Sequence, residues 1–325
     1  MNFERAAKLR PLLSVRRLRI DYPQRRRWSF GSGSAVRAVD SIDFDLNLGE
    51  ALAIIGERSS GRSALARILS GTEPDGVAAG SARFRDHELI GAGRDHWRQL
   101  RPQIQRIAEI DPAKLPRARR TALGFVSEAL RPLPQTLPKD QCRIRASEAL
   151  AAVGLNGEMH NAMIKTLGPI DNRRVAIAAA IACSPQLLIL DDLLSGLDTE
   201  QASALIPLLQ ALRRNPQLAF IQIEQRFDVL LSDQDRALVL CWGRIQEQGR
   251  ASDLVAQPRH PYTRALIGGE LTAMTTPKLE RGHAPLGCVF HPRCPLAEHA
   301  CVQTAPGLRR LHGDHYVACH FVAGS

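Results

Sequence analysis

Two glycines at a fixed spacing are the first sign of chemistry in this chain. Gly56-Glu57-Arg58-Ser59-Ser60-Gly61-Arg62-Ser63 follows the apolar run Ala51–Ile55 and leads into a helical pattern over Ser63–Ser70. The frame G-x-x-x-x-G-[K]-[ST], with strand before and helix after, is that of a loop whose backbone N–H groups cradle phosphate. The helix adds the positive end of its dipole. Within that frame Gly56, Ser59, Ser60 and Gly61 line the phosphates, and the Ser63 hydroxyl holds Mg²⁺. Arg62 stands where a lysine is expected. A guanidinium keeps the charge, but it is planar and forked where an ammonium is a compact point. A strand–turn–helix with chance glycine spacing would contain the same residues and do nothing.

Two acids form the second element. Leu187-Leu188-Ile189-Leu190 runs into Asp191-Asp192. An aspartate at the end of a buried strand is placed to hold Mg²⁺ beside a nucleotide; a strand merely capped by acids is the plain alternative. Both elements in this order point to nucleotide binding. A third element lies in the tail, where Cys288, Cys294, Cys301 and Cys319 are spaced C-x5-C-x6-C-x17-C. Four thiolates in one short segment can close around a soft metal. The usual zinc pattern opens with C-x2-C, and this one does not. His291 and His320 adjoin it as possible substitute ligands. Cys142, Cys183 and Cys241 are scattered, as packing residues are.

The elements that must position these residues are legible as patterns. Leu13–Tyr22 reads as a strand. Ile42, Phe44, Leu46 and Leu48 alternate with polar residues, as in a half-buried strand. Ala51–Ile55 and Leu187–Leu190 are continuous apolar runs, as in strands buried on both faces. Gln201–Arg214 has helical periodicity, Leu218–Ile223 is strand-like, and Arg236–Gln248 reads as a hairpin turning at Trp242-Gly243-Arg244. The region from about 85 to 165 reads as helical. Buried strands alternating with helices predict an α/β fold with a parallel core sheet. After Pro258 the periodicity fades and Pro, His and Cys accumulate.

Composition narrows the class. The 325 residues carry 43 Lys and Arg, nearly all of them Arg, against 33 Asp and Glu, for a net charge of +10. The excess sits in residues 1–37 and 94–131. At 44% hydrophobic the chain builds a core. Val175–Cys183, the longest clean apolar run, is far short of the ~20 residues of a spanning helix. No apolar segment follows the polar Met1–Arg10, so no signal peptide is expected and the protein is read as intracellular. Seven cysteines in a reducing compartment then argue against a disulfide frame. Arg25-Arg26-Arg27 reads as a solvated face or as a surface beside anionic headgroups.

Taken together, the motifs resemble the ATP-binding subunits of peptide-type ABC transporters, the dipeptide, oligopeptide and Sap antimicrobial-peptide systems. Ser195-Gly196-Leu197-Asp198 resembles that family's D-loop. Leu167-Gly168-Pro169-Ile170-Asp171-Asn172-Arg173-Arg174-Val175 lies where the family has its L-S-G-G signature, with only the ends retained. His260-Pro261-Tyr262-Thr263, Gly287–Pro295 and Ala318-Cys319-His320 resemble the segment that follows the core in peptide importers.

The resemblance implies a P-loop nucleotide-binding domain over 12–255, with an antiparallel β subdomain, a helical subdomain at about 85–165, and a four-Cys extension over 256–325. It implies ATP with Mg²⁺, held by Ser63 and Asp191, with Asp198 nearby and Tyr22 stacking on adenine. It puts Asp192 in the place of the catalytic glutamate, Gln225 in that of the switch histidine and Gln105 in that of the Q-loop glutamine. It favours a [4Fe-4S] cluster over zinc at the four cysteines. The implied partners are a second ATP-binding subunit, two transmembrane permease subunits and, indirectly, a periplasmic peptide-binding protein, at the cytoplasmic face of the inner membrane.

Four departures from the family pattern recur around one reaction: Arg62, Asp192, Gln225 and the broken signature. Phosphoryl transfer is almost all positioning and electrostatics. Asp is one methylene shorter than Glu, Gln cannot carry a proton, and Pro169 removes an N–H. The reading is therefore a degenerate ATPase half of a heterodimer. A non-catalytic adaptor is the second reading. A nucleic-acid-binding metalloprotein is the third; aromatics at 5% leave few stacking platforms, and no specific nucleic acid is expected.

Overall fold

The first strands alternate inward and outward as their sequence does. In the computed structural model, β1 (Leu13–Pro23) pairs antiparallel with β2 (Ala35–Leu46), in a register that sets Leu13 against Leu46, Val15 against Phe44 and Leu18 against Ile42. Ile42, Phe44 and Leu46 are buried between exposed or half-buried polar neighbours, whereas Leu48 lies past the strand end and is exposed. β3 (Ala51–Ile55) is buried at every position. α1 (Arg62–Leu69) follows the glycine loop, and β4 (Val77–Phe84) and β5 (His87–Glu88) complete a four-stranded antiparallel sheet in the order β2-β1-β4-β5. The residues described are 10–23, 35–73, 75–108, 120–131, 137–272 and 284–322, so Arg25-Arg26-Arg27 lies outside them.

The chain groups into two compact units, one of Met1–Gly91, Gln225–Asp228 and Ser232–Ser325, the other of Ala92–Glu224 and Val229–Leu231. The second unit opens with α2 (Arg94–Leu100) and β6 (Ile104–Ala108). This strand lies inside the stretch of about 85–165 that reads as helical. Its core residues Ile104 and Ile107 are flanked by Gln105 and Arg106, which are half-buried, so the apolar signal is broken. Next come α3 (Ala122–Ala129), α4 (Lys139–Ala152) and α5 (Pro169–Ile181), which bury Val126, Ala146, Leu150 and Ala178. β7 (Leu187–Asp191), α6 (Thr199–Arg213) and β8 (Ala219–Glu224) end the unit. β6, β7 and β8 are parallel neighbours, with Ala108 opposite Asp191 and Asp191 opposite Ile223. The strand-end acids are thus brought to the carboxyl edge of the sheet, where ligands of open α/β sheets bind.

The remaining elements return to the first unit. β9 (Arg236–Cys241) runs parallel to β3 and forms the expected hairpin with β10 (Arg244–Arg250). Trp242 and Gly243 turn it with φ of 48° and 75°, the two left-handed residues of a tight hairpin turn. α7 (Ala251–Ala256), α8 (Pro261–Ile267), α9 (His299–Gln303), β11 (Arg309–His312) and β12 (His315–Val317) follow. β12 pairs with β10, so the extension adds strands to the sheet in the order β11-β12-β10-β9-β3. One buried carboxylate holds it there. Glu247 on β10 is fully buried and accepts the backbone N–H of Arg259 and His260 at 2.8 and 2.9 Å, while His315 Nε2 lies 2.7 Å from its Oε1. Among the described residues no helix is long and apolar enough to cross a membrane.

His260 is a neutral cap inside this joint. Its Nδ1 accepts the Tyr262 N–H at 2.9 Å at the start of α8, and burial lowers its pKa to about 4. The unfolded chain, with a histidine near its ordinary 6.5, therefore binds more protons than the folded one between those values. Stability is full above pH 6.5 and falls as the pH drops toward 4, by about 3 kcal/mol in all. Urea midpoints measured across this range will show the slope in the parent chain. They will show a flatter one in His260→Asn, which keeps a capping side chain.

Candidate functional site

The phosphate-loop frame folds as its glycines require. A Cβ on Gly56 would lie 2.3 Å from the Leu240 carbonyl oxygen, and one on Gly61 would lie 2.1 Å from that of Ala38, with Gly61 at φ +101°. Both positions are closed to any side chain. The Ser60 carbonyl accepts the Gly243 N–H at 2.8 Å, so the β9–β10 turn holds the loop from one side. Leu65 N–H donates to Gly61 O at 3.0 Å, and α1 begins there. Its N-terminus has no side-chain cap and no acid in the first turn, the electrostatics an anion prefers. Ser59 is exposed at φ 65°, Ser60 is buried, and Ser63 is half-buried in the first turn of α1. Arg62 does not reach outward like a long free cation. It is only 4% exposed, and its Nε donates to Ser60 Oγ at 3.2 Å within the loop.

Tyr22 sits in a polar cluster with α1. Its hydroxyl donates to the Glu73 carboxylate and accepts from Arg67 Nη2 at 2.9 Å, and the Arg67 guanidinium lies 5.9 Å from its ring centroid. Arg67 Nε also donates to Glu73 at 2.6 Å. Burial pulls the Glu73 carboxyl upward, but hydrogen bonds from Tyr22 and Arg67 outweigh it and hold the group below its ordinary value. An aromatic expected to stack on a base is thus also a structural tie across the first unit.

The second unit arranges the strand-end acids. Asp191 is buried, and Arg106 from the neighbouring strand donates to its Oδ2 through Nε at 3.0 Å and Nη2 at 2.8 Å. Arg106 has a clear sequence position but no motif, and sequence reasoning missed it. Asp192 has φ 51°, a left-handed backbone that Asp tolerates better than longer side chains do. Its N–H donates to Ile223 O at 3.0 Å, which locks the turn against β8. Arg173, within the broken signature, is also engaged inward. Its Nε donates to Leu193 O at 3.1 Å and its Nη2 to Ser195 O at 3.3 Å, so it braces the turn that follows the acids.

Asp198 caps α6. It accepts the Gln201 N–H at 2.8 Å, and the Gln201 side chain accepts the Asp198 N–H at 3.3 Å, a full capping box. Pro169 is the first residue of α5 after Gly168, and Asp171 in its first turn faces Arg174 at 3.4 Å. Gln105 is not at the strand end. It is the second residue of β6, opposite Leu188, and its side-chain amide donates back to Arg101 O. Gln225 directly follows β8 and is half-buried.

The four cysteines expected as a ligand set are brought within electrostatic range of one another. Cys288, Cys301 and Cys319 are buried and Cys294 is half-buried. Burial raises the Cys288 thiol to about 11 and raises Cys294 as well. Among the described residues no three His, Cys, Asp or Glu side chains are arranged to hold a metal. The adjoining histidines have backbone partners: His291 Nδ1 lies 2.9 Å from Cys288 O, and His320 Nε2 lies 2.8 Å from Thr304 O.

Comparison with known proteins agrees with this geometry. The family described as ABC transporter matches residues 39–195, and the oligopeptide/dipeptide transporter C-terminal region matches 246–301. The oligopeptide transport ATP-binding protein OppF of Salmonella typhimurium is 30% identical over 324 residues, 95% of either chain. The di/tripeptide transport ATP-binding protein DppF of Pseudomonas aeruginosa is 31% identical over 301 residues, 90% of this chain and 92% of its own. Among solved structures, cbiO1 from Clostridium perfringens superposes with a TM-score of 0.62 at 24% identity, covering 77% of this chain and 92% of that one. The bacterial ABC transporter cassette MJ0796 gives 0.63 at 18%, covering 74% and 98%. The structures establish the fold, and the near full-length relatives establish the rest: this chain belongs to the family of ABC transporter ATP-binding proteins, in the group that carries the oligopeptide/dipeptide transporter C-terminal region.

Proposed function

We propose that the chain is the ATP-binding subunit of a peptide importer and the weakly hydrolysing half of a heterodimer with a second, competent ATP-binding subunit. It lies peripherally on the cytoplasmic face of the inner membrane, beneath two permease subunits served by a periplasmic peptide-binding protein. The observation that carries the reading is an intact phosphate-loop backbone with altered side chains. The glycines, the turn and the uncapped helix start support nucleotide binding. The altered groups all belong to the hydrolytic step. Asp192 offers a shorter carboxylate from a left-handed backbone. Gln225 can hydrogen-bond a phosphate or water but cannot take a proton. In α5, Pro169 presents no N–H, and Asp171 offsets the helix dipole where a phosphate would approach.

Family membership implies ATP with Mg²⁺, and the donors suit it. Ser63 and Asp191 offer oxygens, which this hard cation prefers. Arg106 already compensates the Asp191 charge, so the ion competes with a resident guanidinium at that carboxylate. A cluster or zinc at Cys288, Cys294, Cys301 and Cys319 would require the thiols to be drawn together. Iron, sulfide and zinc analysis of anaerobically purified protein reads this directly, and a stoichiometric content would reinstate it.

Millimolar Mg-ATP will raise the melting temperature of the full chain; no shift sinks the nucleotide reading. Turnover by the chain alone will stay below about one per second, and several per second would overturn the degenerate assignment. In the assembly with its partner subunits, Arg62→Lys, Asp192→Glu and Gln225→His combined will raise ATP turnover about tenfold or more. An unchanged rate would favour a purely adaptor role. Arg106→Met will cost about 3 kcal/mol in magnesium-free urea denaturation, because it strips this guanidinium from the buried Asp191 carboxylate. Added Mg²⁺ will recover part of that loss in the variant and change the parent little.

A further inference from the structure

Glu57 is the second residue of the phosphate loop, and both of its polar ends are held by the C-terminal extension. Its backbone N–H donates to the Tyr262 hydroxyl at 3.0 Å, and that hydroxyl donates onward to Leu240 O at 3.1 Å. Tyr262 is fully buried. The Glu57 carboxylate takes Arg293 as a fork: Nη1 donates to Oε2 at 3.0 Å and Nη2 to Oε1. Arg293 has a side chain only 6% exposed and lies 5.2 Å over the ring of Phe290, which meets Tyr262 edge-on at 5.3 Å. A bidentate guanidinium–carboxylate pair on an aromatic floor is among the more directional contacts a protein can make.

The consequence is electrostatic as well as mechanical. A phosphate-binding loop gains nothing from a carboxylate of its own, since like charges repel in a part-buried site. The Arg293 fork neutralises Glu57 and turns it away into the extension. The Glu57 amide is likewise spent on Tyr262, which fixes the peptide that follows Gly56. Gly56 itself abuts Leu240 O, the same carbonyl that Tyr262 binds.

We propose that Arg293 is a positioning residue of the phosphate loop, so that the C-terminal extension completes the nucleotide site of this chain. The inference rests on the nucleotide-binding reading above for its functional part, and on loop order for its structural part. The two are separable by experiment. In the full chain without nucleotide, Arg293→Met will speed amide hydrogen exchange over residues 56–62 by about tenfold, with residues 236–241 unchanged. The same variant will weaken ATP binding about tenfold. The double variant Glu57→Gln/Arg293→Met will return to within about threefold of Glu57→Gln alone, because no unpaired charge is left beside the phosphates.

A contact that only tacks the tail to the core predicts no such rescue, and a double variant as weak as Arg293→Met overturns the proposal. So does loop exchange that Arg293→Met leaves unchanged. If the parent chain binds no ATP, the nucleotide reading falls and the exchange measurement alone decides the clamp. If Arg293→Met does not fold, Arg293→Lys keeps the charge and loses the fork. Faster loop exchange in that variant supports the proposal, and parent-like exchange overturns it.

Discussion

The close approach of backbone to backbone around the phosphate loop is the constraint on which the first unit depends. Gly56 and Gly61 each face a carbonyl oxygen, of Leu240 and Ala38, at distances where no Cβ fits. The loop is therefore a space defined by its neighbours as much as by its own sequence. β2 contributes Ala38, the hairpin turn contributes Gly243, and β9 contributes Leu240. A loop with the same eight residues on another frame would have no reason to keep this shape. Tyr262 enters where its one hydroxyl can accept from a loop N–H and donate to a strand carbonyl.

Arginine is the electrostatic material of this protein, and in each unit several arginines near the motifs are already committed. Arg67 serves Glu73 and Tyr22, Arg106 serves Asp191, Arg173 serves two carbonyls, and Arg293 serves Glu57. A net charge of +10 suggests a surface that attracts anions. Inside, the same residue type works as a fork that fixes carboxylates and carbonyls in place. This is a use to which guanidinium geometry is suited and lysine is not. The scarcity of lysine that leaves Arg62 in the loop also supplies these pairs, and Arg62 itself turns inward to Ser60.

The altered residues acquire physical content from their backbone. A shortened carboxylate at Asp192 reads as a simple loss on paper. At φ 51°, aspartate is also one of the residues best able to occupy the position. Pro169 reads as a missing N–H, yet at the first position of α5 a proline is favourable for the helix. Both residues are thus locally well formed.

Periodicity was a sound guide for several elements whose burial follows a regular pattern. The alternation in β2 as far as Leu46, the apolar runs of β3 and β7, the helix α6 and the β9–β10 hairpin match the pattern, because burial selects residue type position by position. β6 escaped because two polar residues interrupt its core positions, one of them the arginine that meets Asp191. Cysteine spacing pointed to a metal, but spacing along the chain does not decide whether thiols converge. The sequence by itself determined the class of fold, the order of its motifs and the residue types at Arg62, Asp192 and Gln225. Only the tertiary structure decided the pairings Arg106–Asp191, Arg293–Glu57 and Tyr262–Glu57. Each joins residues far apart in the chain, and the choice among many arginines for each carboxylate is made by packing, which no local pattern records.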